Sequence, residues 1–285
     1  MKPLQEIRVL TLAINLPGPL AVANLHQLGA AVVKIEPPDG DPLFQVQPDW
    51  YRALHEGQEI LRLDLKAAGD RVRLEEKLAA ADLLITASRP AGLGRLGLAW
   101  EEVHARNPRL CQVAIIGYPP PEEELPGHDL TYQARLGLVE PPRLPRTMIA
   151  DLAGAQQVVS AALALLLARA RGQGSHYVQI SLAKAAECFA EPLRRGLTAP
   201  DGILGGAFPG YNLYRAREGW VALAALEPHF WRKLAAELGL PCPDSQKLQD
   251  VFLTRTALEW EAWGRARDLP LAAVRHGPAL EETQP

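Results

Sequence analysis

The feature that most constrains this chain is a rhythm in residues 7–116, where short, unbroken apolar runs alternate with segments of helical spacing. Residues 7–13 (IRVLTLA) form an apolar run of strand length, ended by Pro17-Gly18-Pro19. Residues 20–28 then carry apolar side chains at helical spacing and stop at Gly29, a residue suited to the left-handed conformation in which many helices end. Residues 31–35 (AVVKI) are the next strand. Strand, helix and strand within about thirty residues make a βαβ unit, with parallel pairing and a right-handed crossover. The pattern recurs as a helix over 70–81, a strand at Leu83–Thr86, a helix over 101–106 and a strand over 110–116. Strands that are apolar throughout are those covered on both faces. The expected class is therefore α/β, a Rossmann-like parallel sheet with helices on each side.

Beyond it, three prolines and three glutamates over residues 119–124 read as a solvated loop leading into GHDLTY (residues 127–132). A second Pro-rich loop, 141–145, precedes a strand-like stretch at 147–150. Residues 152–169 form an Ala/Leu-rich helix, apolar on most sides and so expected to be buried. A turn at 171–174 leads into a strand at Tyr177–Ser181 and a helix from Leu182. Composition changes near residue 200. A Gly-rich segment, 201–210, is followed by strands at 211–214 and Trp220–Ala224, with Arg217-Glu218-Gly219 as their hairpin turn. Helices over Pro228–Leu238 and 256–267 complete a small α+β domain. The expected organisation is a large domain over 1–200 and a small one over 201–285.

A chain of 285 residues buries a sizeable core. Its net charge of -3, with both signs interspersed, leaves no nucleic-acid footprint. The N-terminal apolar run is too short for a signal peptide, and the longest apolar stretch, 158–168, is short of a membrane span. Cys111, Cys188 and Cys242 are odd in number and widely spaced, with neither a CxxC nor a Cys/His ligand pattern. That excludes a disulfide framework and a zinc site. A cytoplasmic protein is expected, with no metal, membrane or nucleic-acid partner.

Gly92-Leu93-Gly94-Arg95-Leu96-Gly97 spells the dinucleotide fingerprint GxGxxG, but no helix opens at its last glycine and no acid stands near residue 117 for a ribose. Arg89 and Arg95 draw more interest as cations on a loop after a sheet strand, although surface arginines on a turn look the same. Three titratable residues stand at element boundaries: His128, Asp151 and Glu227. A histidine and two carboxylates can remove a proton from carbon and return one. Each also has a plainer explanation. Asp151 sits where a helix N-cap belongs, His128 can be an ordinary loop residue, and Glu227 precedes Pro228 where a helix dipole favours acids. At the helix start, the N–H groups of residues 152–154 could hold an oxyanion, with Ala153, Gly154 and Ala155 small enough for close approach.

The ordered segments IRVLTLA, QLGAAVVKIEPPDGDP, LRLDLK, RPAGLGRLGL, GHDLTY, IADLAGA and GGAFPGYNLYRAREGWVALAALEPHFW resemble the class III CoA-transferase superfamily (CaiB/BaiF type). GHD at 127–129 and ALEPHF at 225–230 are closest to its α-methylacyl-CoA racemase branch. The resemblance implies an acyl-CoA substrate, no permanently bound cofactor, and an interlocked homodimer whose site joins one chain's large domain to the other's small domain. On it, Asp151 and His128 exchange the α-proton through an enolate while Glu227 orients His128. Lys34, Arg89 and Arg95 are the expected CoA-binding cations. The superfamily's alternative chemistry moves CoA between carboxylic acids with Asp151 as nucleophile, and a third outcome is a diverged CoA-binding protein with little activity. The sequence departs from the family pattern at His55-Glu56-Gly57-Gln58-Glu59, where relatives carry an Asn-Arg-Gly-Lys-like run. A C-terminal segment returning to the large domain is also expected to be missing.

Overall fold

The structure, a computed structural model, describes residues 1–275; residues 276–285, the end of the expected small domain, lie outside the described residues. Two compact units divide at Ala190 and Glu191, within a helix over Leu182–Arg194 that contains Pro192. The compositional change near residue 200 lies beyond that helix.

In the first unit, six strands form one sheet: β1 (Arg8–Thr11), β2 (Ala31–Glu36), β3 (Glu59–Arg62), β4 (Leu83–Thr86), β5 (Cys111–Ile116) and β6 (Tyr177–Ser181). They run in the order β3-β2-β1-β4-β5-β6, and every neighbouring pair is parallel. This is the doubly wound Rossmann order expected from the apolar rhythm. The order reverses between β1 and β4, the switch point where open α/β sheets place ligands beyond the strands' carboxyl ends. The helices of this unit are α1 (Pro17–Gln27), α2 (Pro42–Val46), α3 (Pro48–Leu54), α4 (Ala68–Ala80), α5 (Pro90–Arg95), α6 (Trp100–Arg106), α7 (Asp129–Arg135), α8 (Ile149–Ala170) and α9 (Leu182–Arg194).

Consecutive strand residues feed opposite faces, as the period of two requires. Val9, Leu83 and Ile85 join Leu25 of α1 and Val158 of α8 in one cluster. Leu10 and Leu84 join Leu74 and Leu78 of α4 in another. Each fully buried Leu, Ile or Val contributes about 1.5–3 kcal/mol over its exposed state.

Three expectations change here. The stretch 147–150 is not a strand, because α8 already begins at Ile149. At 22 residues α8 is long and apolar enough to cross a bilayer by composition, which corrects the short span inferred from residues 158–168. It is also not buried all round: Val158, Ala162 and Leu166 are buried, whereas Leu163 and Leu167 are exposed. The GxGxxG run is resolved as well, since α5 covers Gly92 and Gly94 and only Gly97 takes a positive φ, of 63°. That geometry cannot wrap a pyrophosphate in the dinucleotide manner.

The second unit holds an antiparallel sheet, β7-β8-β9, of β7 (Tyr211–Arg215), β8 (Trp220–Ala224) and β9 (Leu271–Ala273). Gly219 turns the β7–β8 hairpin at φ 82°. Helices α10 (Pro228–Leu238), α11 (Ser245–Phe252) and α12 (Ala257–Arg265) pack on it. Its core centres on Tyr214, Leu234, Phe252, Trp260 and Trp263.

Candidate active site

Two cavities open at the carboxyl edge of the parallel sheet and share Ile14, Asn15 and Ala87 on their rims. The first, of about 240 Å³, is lined by Arg89, Glu123, His128, Tyr132 and Asp151 among others. The second, of about 440 Å³, is more apolar and is lined by Pro37, Leu63, Leu65, Ser88, Leu93 and Leu96 together with Glu36, Asp64 and Lys66. The structure thus brings His128, Asp151 and Arg89 to one cavity.

Asp151 is the third residue of α8, not its N-cap, which is Met148. Capping is done from elsewhere: Asp129 Oδ1 accepts from the N–H of Ala150 at 2.7 Å and of Asp151 at 3.1 Å. Asp129 is buried, and Gln133 Nε2 donates to its other oxygen at 2.5 Å. With the first-turn donors satisfied this way, the Asp151 carboxyl is left for the cavity. Its burial, and secondarily the nearby Asp129 charge, push its pKa up to about 6.

The oxyanion expectation does not survive. The N–H of Leu152 donates to Met148 O at 3.0 Å inside the helix ladder, and residues 153 and 154 lie deeper in it. Gly154 is small for another reason, since a Cβ there would lie 2.3 Å from Leu182 Cδ2.

His128 is the exposed N-cap of α7, where its own N–H donates to Thr131 Oγ1 at 3.0 Å. The residue is exposed and lines the cavity, so a ligand can reach it. Beneath it, Tyr132 packs edge-on to Tyr118 with centroids 5.0 Å apart. Gly117 and Gly127 make room for it, as a Cβ on either would come within 2.5 Å of the Tyr132 side chain. Burial, followed by the neighbouring Tyr118, Asp151 and Asp129, pushes the Tyr132 hydroxyl up to about 12, so it remains a proton donor at neutral pH.

Lys34 has a different task from the one expected. Its ammonium is fully buried, 2.5 Å from Asp41 Oδ2, 3.1 Å from Glu36 Oε1 and 2.8 Å from His55 Nε2. Asp41 Oδ1 in turn accepts from Asn15 N–H at 3.0 Å, holding the β1–α1 turn in which Asn15 adopts φ 67°. Lys34 therefore offers no surface to a phosphate and instead underpins the rim residue Asn15. Of the departure at 55–59, His55 belongs to the same network. Burial, then Lys34, lower the His55 pKa and keep the ring neutral, while its Nδ1–H donates to Tyr51 O at 2.7 Å. Glu59 pairs with Lys77 at 2.8 Å. Arg95, in the last turn of α5, is exposed and lines neither cavity. Glu227 stands in the second unit as the exposed N-cap of α10, and its side chain makes no capping hydrogen bond. Its place directly before Pro228 at the start of α10 is where the helix dipole favours an acid.

Tyr132, Asn15 and Glu123 are not singled out by sequence, and Asp129, beside His128 in GHDLTY, caps α8 and not the helix that follows it.

A switch-point cavity lined by a carboxyl of raised pKa and a histidine defines an enzyme-type site of the open α/β class. The family model for CoA-transferase family III matches residues 4–280, and the chain belongs to that family, an enzyme of the class III superfamily. It is 26% identical over 274 residues, 84% of this chain and 70% of the relative, to the probable fatty acyl-CoA transferase Rv3272 of Mycobacterium tuberculosis. A crystal structure of Rv3272 superposes with a TM-score of 0.86 at 26% identity, over 97% of this chain and 85% of that one. The chain is also 28% identical over 294 residues, 90% of this chain and 74% of the relative, to alpha-methylacyl-CoA racemase of Homo sapiens.

Proposed function

We propose that the chain exchanges the α-proton of an acyl-CoA thioester between Asp151 and His128 through an enolate, as a racemase of the α-methylacyl-CoA type. The observation that carries this reading is the Asp151 carboxyl, with its pKa raised to about 6, sharing a cavity with His128. A group whose pKa lies near working pH takes and returns protons with little penalty in either direction. One of the two residues abstracts the α-proton, and the other delivers a proton to the opposite face of the planar enolate. The thioester oxygen, which gains charge, requires a donor; the Asn15 side-chain amide on the shared rim is the group we assign. In this reading the CoA portion follows the adjoining apolar cavity, with Arg89 meeting its phosphates and Arg95 a more distant cation. Glu227 of a second copy of the chain would orient His128, which makes a homodimer part of the proposal.

CoA transfer, with Asp151 as nucleophile, is the second reading, favoured by the naming of Rv3272 as a probable fatty acyl-CoA transferase. Incubation with an α-methylacyl-CoA in deuterated water, with and without a free carboxylic acid, separates the two. Isotope uptake at the α-carbon without CoA migration, abolished by both Asp151→Asn and His128→Ala, is the expected result. Migration of CoA that survives His128→Ala replaces the racemase reading with the transferase one.

A further inference from the structure

Glu122, Glu123 and Glu124 are consecutive, yet each has a different setting. Glu122 Oε2 accepts from Arg135 Nη1 at 2.9 Å, tying the loop to α7. Glu124 Oε1 accepts from the Ala91 N–H at 2.8 Å, tying it to the first turn of α5. The loop also closes on itself, with Glu122 N–H on Pro119 O at 2.9 Å and Leu125 N–H on Glu122 O at 3.0 Å. Between these two anchors Glu123 turns inward. It lines the cavity that holds Asp151 and His128, and its Oε2 is buried with no hydrogen-bond partner among the described residues.

A buried carboxylate oxygen without a donor is costly, and such atoms in folded proteins generally have a partner. Here the flanking glutamates hold the loop in place while the middle one faces the reacting groups, so the partner is best supplied by the substrate. Among the described residues Arg89 is the one arginine or lysine lining this cavity, and it is exposed. Glu123 and Asp151 place two acidic groups opposite it.

We propose that Glu123 is a specificity-determining residue, selecting acyl chains that carry a hydrogen-bond donor and disfavouring those that end in a second carboxylate. A hydroxyl or an ammonium on the chain would donate to the Glu123 carboxylate. A chain-end carboxylate would meet like charge. This inference rests on the acyl-CoA reading of the same cavity.

The test uses α-methylacyl-CoA thioesters of one chain length ending in methyl, hydroxyl, ammonium or carboxylate. Binding to the full chain is read by titration calorimetry, and turnover by α-deuterium uptake, for the wild type, Glu123→Gln and Glu123→Ala. The wild type should bind the ammonium-ended thioester about tenfold or more tightly than the carboxylate-ended one. The hydroxyl-ended compound should fall on the favoured side. In Glu123→Gln the ammonium-to-carboxylate ratio should fall to about twofold. An unchanged ratio in both variants overturns the proposal, as does a wild-type preference for the carboxylate end, which would make Arg89 the reader of the chain end. Binding with the expected ratios but no isotope uptake removes the racemase reading and leaves Glu123's role intact. Failure to bind any of the four thioesters removes both.

Discussion

Replacing Asp151 with Asn should stabilise the protein, and only at pH values where the wild-type carboxyl has to ionise. Burial first, and Asp129 second, raise its pKa from 3.8 to about 6. An acid raised in this way favours the folded state while protonated, so no penalty exists below about pH 3.8. The penalty grows as pH rises and is complete above about pH 6. At 1.36 kcal/mol per pH unit, a rise from 3.8 to about 6 corresponds to about 3 kcal/mol. Solvent relaxation around a half-buried side chain reduces that, so about 1–3 kcal/mol is expected at pH 8. Roughly a third of the gap should remain at pH 4.5. Calorimetric unfolding of wild type and Asp151→Asn at pH 8, 6 and 4.5 measures it directly. Two outcomes refute the reasoning. A difference that does not vary with pH would mean that the carboxyl is not held protonated by burial. Destabilisation at pH 8 would mean that Asp151 serves its own helix as a capping acid. The expected result instead marks a residue retained at the expense of stability, as active-site groups often are.

Asp129→Asn should move the ionisation of Asp151 downward, shifting the acidic limb of the kcat/KM profile to lower pH, and should weaken the α8 cap by about 0.5–2 kcal/mol in denaturant titrations. Lys34→Met leaves Asp41 and Glu36 buried without their ammonium, and urea unfolding should show a loss of about 3–5 kcal/mol. Gly127→Ala brings a methyl within 2.5 Å of the Tyr132 ring and 2.9 Å of Tyr118. The ring has to move, with about 1–3 kcal/mol lost in thermal melts and slower isotope exchange.

What the sequence disclosed depended on how local the determining physics is. Leu83–Thr86 and Pro228–Leu238 were read with their observed bounds, because an all-apolar tetrapeptide and a Pro-started amphipathic run carry their own signals. β3 was not read at all. It is a four-residue edge strand of sequence EILR whose pairing depends on β2 being in place. Asp151 looked like an N-cap because local chemistry favours acids there, but the cap comes from Asp129 on another helix. Lys34 looked like a phosphate ligand because a lone cation in a strand gives no sign of two carboxylates folding over it. His128 and Asp151 were found as a pair through the family's motifs, since spacing alone says nothing of the cavity they share. Glu123 was hidden among identical neighbours, and only the bonds made by Glu122 and Glu124 distinguish it.

The hydrogen bonds that Asp129 accepts from the start of α8 have an evolutionary consequence. His128 and Asp129 are adjacent in the chain, so the fastening that fixes the first turn of α8, and Asp151 within it, is one residue away from the imidazole. The spacing of the two proton-handling groups is thus written into a dipeptide and two amide contacts, and not into the Pro-rich connection over 136–148. That connection is free to lengthen, shorten or change composition among descendants of this chain while the reacting groups keep their distance. Drift in the loop and constancy in the chemistry are compatible because different bonds answer for each.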